Sequence, residues 1–90
     1  MTADTLAEQT QPELPADCKF VTHVTGGLDG AVRVAMMLRG RNYQVRDLDI
    51  DVREGALSEI RATVVVTVAE AELLLRRLRR MPAVVSAANR

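Results

Sequence analysis

The feature that most constrains this chain is a change of apolar period between Lys19 and Val52. Lys19 to Thr25 sets Phe20, Val21 and Val24 among β-branched neighbours, which is strand chemistry. Gly26-Gly27 then admits backbone angles closed to other residues. From Ala31 the period lengthens: Ala31, Val34, Ala35 and Leu38 share one face of a helix. Asp29 stands where a carboxylate can cap the first turn, and Asn42 where a helix can end in the left-handed conformation. Val45 follows, and then Leu48, Ile50 and Val52 alternate with Asp47, Asp49 and Asp51, the period of a half-buried strand. The stretch is one β-α-β unit.

The remainder repeats that logic. Arg53 to Glu59 carries Glu54-Gly55 and Ser58 and reads as a turn. Ile60 to Val68 reads as a strand, with Ile60, Ala62, Val64, Val66 and Val68 on one face and Arg61, Thr63, Val65 and Thr67 on the other. Val64-Val65-Val66 is apolar on both faces and predicts a central position. Glu70 to Met81 predicts a second helix, with Ala71, Leu74, Leu75, Leu78 and Met81 as its apolar stripe. Glu72 and Arg76 are spaced to pair one turn apart, and the trailing arginines 76, 77, 79 and 80 suit the helix dipole. Pro82 ends the helix, and Ala83 to Ala88 reads as a short last strand through Val84 and Val85.

The order βαββαβ predicts an α+β, ferredoxin-like fold: a four-stranded antiparallel sheet in the order 4-1-3-2, with both helices on one face. Phe20, Thr22, Val24, Leu48, Ile50, Val52, Val64 and Val66 are expected to meet the helices. Val21, His23, Asp47, Asp49, Arg61, Thr63 and Val65 are expected on the other sheet face.

Ninety residues make one domain, expected over 18–90. With one Phe, one Tyr and no Trp, its core must be aliphatic. Domains of this size are marginal alone, a reason to expect a partner. Residues 1–17 hold four acids, two prolines and no base, and read as a disordered or loosely attached arm. The other residues carry all twelve bases, eleven of them Arg, against eight acids, a surplus too small to argue for nucleic acid. A lone Cys18 makes neither an internal disulfide nor a zinc site and suggests a reducing compartment. Without a basic start, a signal-type apolar run or a span-length apolar run, the chain is expected to be soluble and cytoplasmic.

Catalytic and metal readings find little to stand on. His23 has no nucleophile or carboxylate close in sequence and reads as a side chain on the open sheet face. Asp47, Asp49 and Asp51 offer hard-cation ligands, but carboxylates two apart on a strand spread along it rather than converge. They read as a solvated face beside Arg61 or Arg46, with no metal. An RNA-recognition surface needs aromatics on the central strands, where only the inward Phe20 stands. A thiol metal chaperone needs paired cysteines in the first loop, and Gly26–Gly30 has none. No cofactor motif is present, and the chain is expected not to be an enzyme.

Arg33-Val34-Ala35, Leu38, Arg41, Tyr43 and Val45, followed by Leu78, Arg79-Arg80-Met81 and Val84, resemble the ACT domain, a small regulatory amino-acid-binding module. The pattern is most similar to the short regulatory subunit of acetolactate synthase (acetohydroxyacid synthase), over about Lys19 to Ala88. The resemblance implies a non-catalytic subunit that binds and activates a large thiamine-diphosphate-dependent catalytic subunit in branched-chain amino-acid biosynthesis. It implies a homodimer paired through the second strand, at Val45, Asp47, Leu48, Asp49, Ile50 and Asp51, and the first helix. It places an amino-acid effector at Gly26, Gly27, Leu28, Asp29 and Gly30. Effector-binding ACT domains usually carry Asn and Pro-Gly in that turn, where this chain has Gly26, Leu28 and Asp29, so weak or absent binding is expected. The alternatives are a free-standing ACT-type amino-acid sensor and a nucleic-acid-binding module of the same fold.

Overall fold

The structure is a computed structural model and describes residues 14–53 and 55–90. Its elements are β1 (Ala16–Val24), α1 (Gly27–Gly40), β2 (Gln44–Asp51), β3 (Ser58–Val66), α2 (Val68–Arg80) and β4 (Val84–Asn89). The strands form one four-stranded sheet in the order β2-β3-β1-β4, antiparallel throughout. That is the expected ferredoxin-like order read from the opposite edge.

Pairing starts earlier than the apolar pattern suggested. Ala16, Asp17 and Cys18 pair with Val66, Val65 and Val64, so β1 takes in the end of the stretch read as an arm. Leu14 and Pro15 precede the strand, and residues 1–13 of that stretch lie outside the described residues. At the other end of β3, Thr67 leaves the strand to cap α2. Its hydroxyl accepts from the Glu70 amide at 3.1 Å, and the Glu70 carboxylate accepts from the Thr67 amide at 2.8 Å. Val68, expected on the inner strand face, is therefore a helical residue and is exposed.

The first helix ends on two interlocked bonds. The amides of Asn42 and Tyr43 donate to the carbonyls of Arg39 and Leu38 at 3.0 and 3.1 Å, and Asn42 takes φ 60° as expected. Only Gly or a short polar residue adopts that angle readily, so Asn42 can turn the chain into β2.

One face of the sheet carries the core. Phe20, Val24, Ile60, Ala62, Val64, Val66 and Ala87 are buried against Ala31, Val34 and Leu38 of α1 and Ala71, Leu74 and Leu78 of α2. Thr22 is buried with them, as expected. Leu48 and Val52 are not: they keep 40% and 39% exposure. The reason is positional: α1 packs on β3 and β1, leaving the outermost strand β2 partly uncovered. Ile50 is half-buried at the same margin. Glu72 and Arg76, expected to pair along α2, form no ion pair among the described residues.

Leu38→Ala and Leu74→Ala should each destabilise the protein by about 2–5 kcal/mol, a large share of the stability of so small a domain. Urea or thermal unfolding measures it, and an unchanged midpoint for either would place the helical stripes on the wrong face.

Candidate functional site

The turn from β1 into α1 is built on backbone freedom. Gly26 caps α1 in the left-handed conformation at φ 84°, and Gly27 follows at φ 58°. No side chain caps this helix, which overturns the cap expected of Asp29. The helix starts at Gly27, so Asp29 is its third residue, two positions inside the helix rather than at the N-cap, which Gly26 occupies. Asp29 acts on the helix only as an exposed first-turn acid favoured by the dipole. Gly30 has a different task. A Cβ there would lie 1.9 Å from the Thr25 carbonyl oxygen, so glycine lets α1 approach the end of β1.

Beside this turn opens a shallow cleft of about 440 Å³, lined by Thr25, Gly26 and Gly27 and, from the β2–β3 loop, by Arg53, Gly55, Ala56 and Leu57. Of the five candidate effector residues, it brings together Gly26 and Gly27. Leu28 and Asp29 are exposed outside its lining, and Gly30 is buried beneath the helix start. The sequence reading missed Arg53. Its guanidinium is held by Asp51, with Nε and Nη2 donating to Oδ2 at 3.1 and 2.9 Å, while its amide donates to the buried Ser58 hydroxyl at 2.9 Å. The amides of Gly27, Leu28 and Asp29 precede the first intrahelical bond, from Gly30 to Gly26. A helix start of this kind suits a small carboxylate, which the Asp29 charge opposes.

The second candidate element, β2, lies at the sheet edge, as its place in the strand order was expected to put it. Val45 pairs with Val64 and Asp47 with Thr63, so Arg46 is an extra residue in a bulge. The bulge puts Val45 on the helix-side face with Leu48 and Ile50, which an unbroken alternation would not do. Asp47, Asp49 and Asp51 take the open face. On α1, Leu28, Val32 and Met36 are exposed apolar residues, at 59%, 39% and 65%. Ala35, Leu38 and Arg39 of α1 share a groove with Tyr43, Val45 and Leu48. An apolar band thus runs from α1 onto the unpaired edge of β2.

The open face carries a polar string across all four strands. Arg61 on β3 donates to Asp49 on β2 and to Glu59 on its own strand. Glu59 meets His23 Nε2 on β1 at 3.2 Å, and His23 Nδ1 meets the Ser86 hydroxyl on β4 at 3.1 Å. The hydrogen bond that Arg61 donates to Asp49 and the charges of Asp49 and Glu59 hold its guanidinium above its ordinary pKa. His23 does lie on this face, as expected, yet the fold supplies it with a hydroxyl and a carboxylate 63 and 36 residues away. Only the cross-strand register, not local sequence, could have shown that. Arg61 is the expected neighbour of the Asp run; Arg46 instead reaches Asp17 at 3.3 Å. Among the described residues, no group of three His, Cys, Asp or Glu side chains is placed to hold a metal ion. None of the described helices is long and apolar enough to cross a membrane.

No protein-family model matches the chain, and no curated protein matches it.

Two glycine substitutions separate packing from flexibility. Gly30→Ala should destabilise by about 1–3 kcal/mol or more, because the new methyl group meets backbone. Gly40→Ala, with nothing within 4 Å of the new Cβ, should stabilise by up to about 1 kcal/mol through helix propensity. Chemical denaturation of both variants checks the pair, and a tolerated Gly30→Ala would refute the close approach.

Proposed function

We propose that this chain is a non-catalytic regulatory subunit of the acetolactate synthase type, an ACT-like module that works by binding a larger catalytic subunit. The observation that carries the reading is the apolar band on α1 and β2 beside an unpaired strand edge. Edges left open are pairing templates, and apolar surface around one marks a protein contact. The occupant is a second copy: β2 pairs with β2 across a two-fold axis, and the α1 side chains Leu28, Val32 and Met36 pack beside it. Resemblance in the α1–β2 run and at the end of α2 supplies the catalytic partner, a thiamine-diphosphate-dependent enzyme that condenses pyruvate. Regulation is then a shift of population, in which the small subunit stabilises the active conformation of the large one by binding it better. A free-standing amino-acid sensor is the second reading, favoured by the cleft between Gly26-Gly27 and the β2–β3 loop.

In solution at micromolar concentration, the protein should have the mass of a dimer, and Leu48→Asp should return it to a monomer. A strictly monomeric wild type would sink the pairing. Co-purification with the catalytic subunit, together with a gain in its turnover, separates the regulatory subunit from the free sensor.

Effector binding is expected to be weak because Asp29 opposes a carboxylate at the helix start. Asp29→Asn should strengthen valine or leucine binding and cost the helix only about 0.3–1 kcal/mol of dipole stabilisation. Calorimetric titration of both forms decides it; tight binding to the wild type would contradict the block.

A further inference from the structure

A second surface, independent of the dimer edge, has no role in that reading. Arg41, just past α1, and Arg76, Arg77 and Arg80 of α2 line one cleft of about 410 Å³ around Leu73. No acid lines it. Arg77 donates to the Tyr43 hydroxyl at 2.7 Å, and none of the four arginines has a carboxylate partner among the described residues. Other arginines do find acids: Arg46, Arg53 and Arg61 are all paired. Four cations gathered around an exposed leucine repel one another, and only those in the last turn of α2 gain from its dipole.

The chain itself carries the matching charge. Pro15 lines an adjoining cleft with Tyr43, and that cleft shares Arg41, Leu73 and Arg77 with the arginine cluster. Pro15, one of the first described residues, therefore lies beside the cluster. Residues 1–13 contain Asp4, Glu8 and Glu13, no base, and one leucine, Leu6.

We propose that the arginine cleft is the docking site of the chain's own residues 1–13, with Asp4, Glu8 and Glu13 meeting the arginines and Leu6 covering Leu73. Reach is sufficient: the eleven steps from Asp4 to Pro15 span up to about 36–40 Å, against about 10 Å along α2 from Leu73 to Arg80. Tethering raises the local concentration of the segment to the order of millimolar, so individually weak exposed ion pairs suffice to hold it. The segment then acts as a built-in competitor, and an acidic stretch of another protein reaches these arginines only by displacing it.

The test uses the full-length chain, isotopically labelled, and reads the guanidinium Nε–H resonances of Arg41, Arg76, Arg77 and Arg80. The comparison is a full-length D4N/E8Q/E13Q variant, with circular dichroism confirming that both are folded. At low salt the four resonances should differ between the two proteins. In about 1 M salt, where screening shortens charge interactions to about 3 Å, they should coincide. Tenfold dilution should leave the low-salt difference unchanged. In full-length R76Q/R80Q, the backbone resonances of residues 1–13 should move in turn. Identical guanidinium resonances at low salt would overturn the proposal. So would a difference that survives high salt, or one that fades on dilution because the segment docks on another copy.

Discussion

Where α1 begins, the Gly30 position sits so close to the Thr25 carbonyl that no side chain fits between helix and strand. That approach sets the height of α1 over the sheet. Buried residues in the layer are mostly Val, Ala, Leu and Ile, with Phe20 the one buried aromatic. A layer this thin closes without voids only if the helix comes down far enough. The glycines at 26 and 27 let the chain reverse sharply enough to enter α1 at that height, and the Thr25 amide, bonded to the Ala83 carbonyl at 2.8 Å, ties the same corner to the start of β4. The cleft beside the turn, the packing of α1 on β3 and β1 and the bare margin at β2 follow from where the helix is forced to start.

Most of the architecture was legible because the periods are clean. The α1 stripe, the alternating β3 faces and the left-handed Asn42 are local signals that packing reinforces, and the outer position of β2 follows from the order of the elements. What could not be read has physical reasons. Arg46 breaks the alternation of β2 with a bulge, and nothing about an arginine announces a bulge. Thr67-Val68-Ala69-Glu70 is a capping box that sequence could have revealed, but the valine run ahead of it makes Thr67 and Val68 look like more strand. Ala16 and Asp17 lack strand propensity and are held in β1 by pairing with Val66 and Val65. The string from Asp49 to Ser86 joins four strands and exists only once the register is set. Asp29 shows the opposite failure: a good capping residue in a plausible place, displaced from the role because two glycines start the helix earlier.

Charge is distributed by the same geometry. On the open sheet face Arg61 meets its ladder partner Asp49 and His23 its ladder partner Glu59, so two of the charged contacts follow directly from strand register. Those exposed pairs contribute little stability one by one, but they fix the orientation of side chains across the whole face. On α2 the arrangement is the reverse. The capping box takes Glu70, and the arginines of the last turns have no facing strand to supply acids. Only Arg79, whose guanidinium bonds the Ala87 carbonyl at 2.8 and 3.1 Å, is drawn toward the sheet. The surplus positive charge of the domain therefore collects on one helix surface instead of spreading evenly.

The β2 edge shows how the two patterns meet. Its helix-side face offers Val45, Leu48 and Ile50, and its open face offers Asp47, Asp49 and Asp51. Two such edges paired about a two-fold axis bring like charges opposite one another, which is destabilising. Arg61 neutralises Asp49 and Arg53 neutralises Asp51, leaving Asp47 as the strand's one acid without a cation among the described residues. The repulsion across the proposed interface is thus confined to one position per copy, while the apolar contact extends along both β2 and α1. A single residual charge weakens a symmetric pair slightly, yet it penalises a strand of another protein that lacks the matching apolar band, because that partner gains less to offset it. In the proposed dimer, the same edge would accept its own copy and resist open-ended stacking, without any residue dedicated to either task.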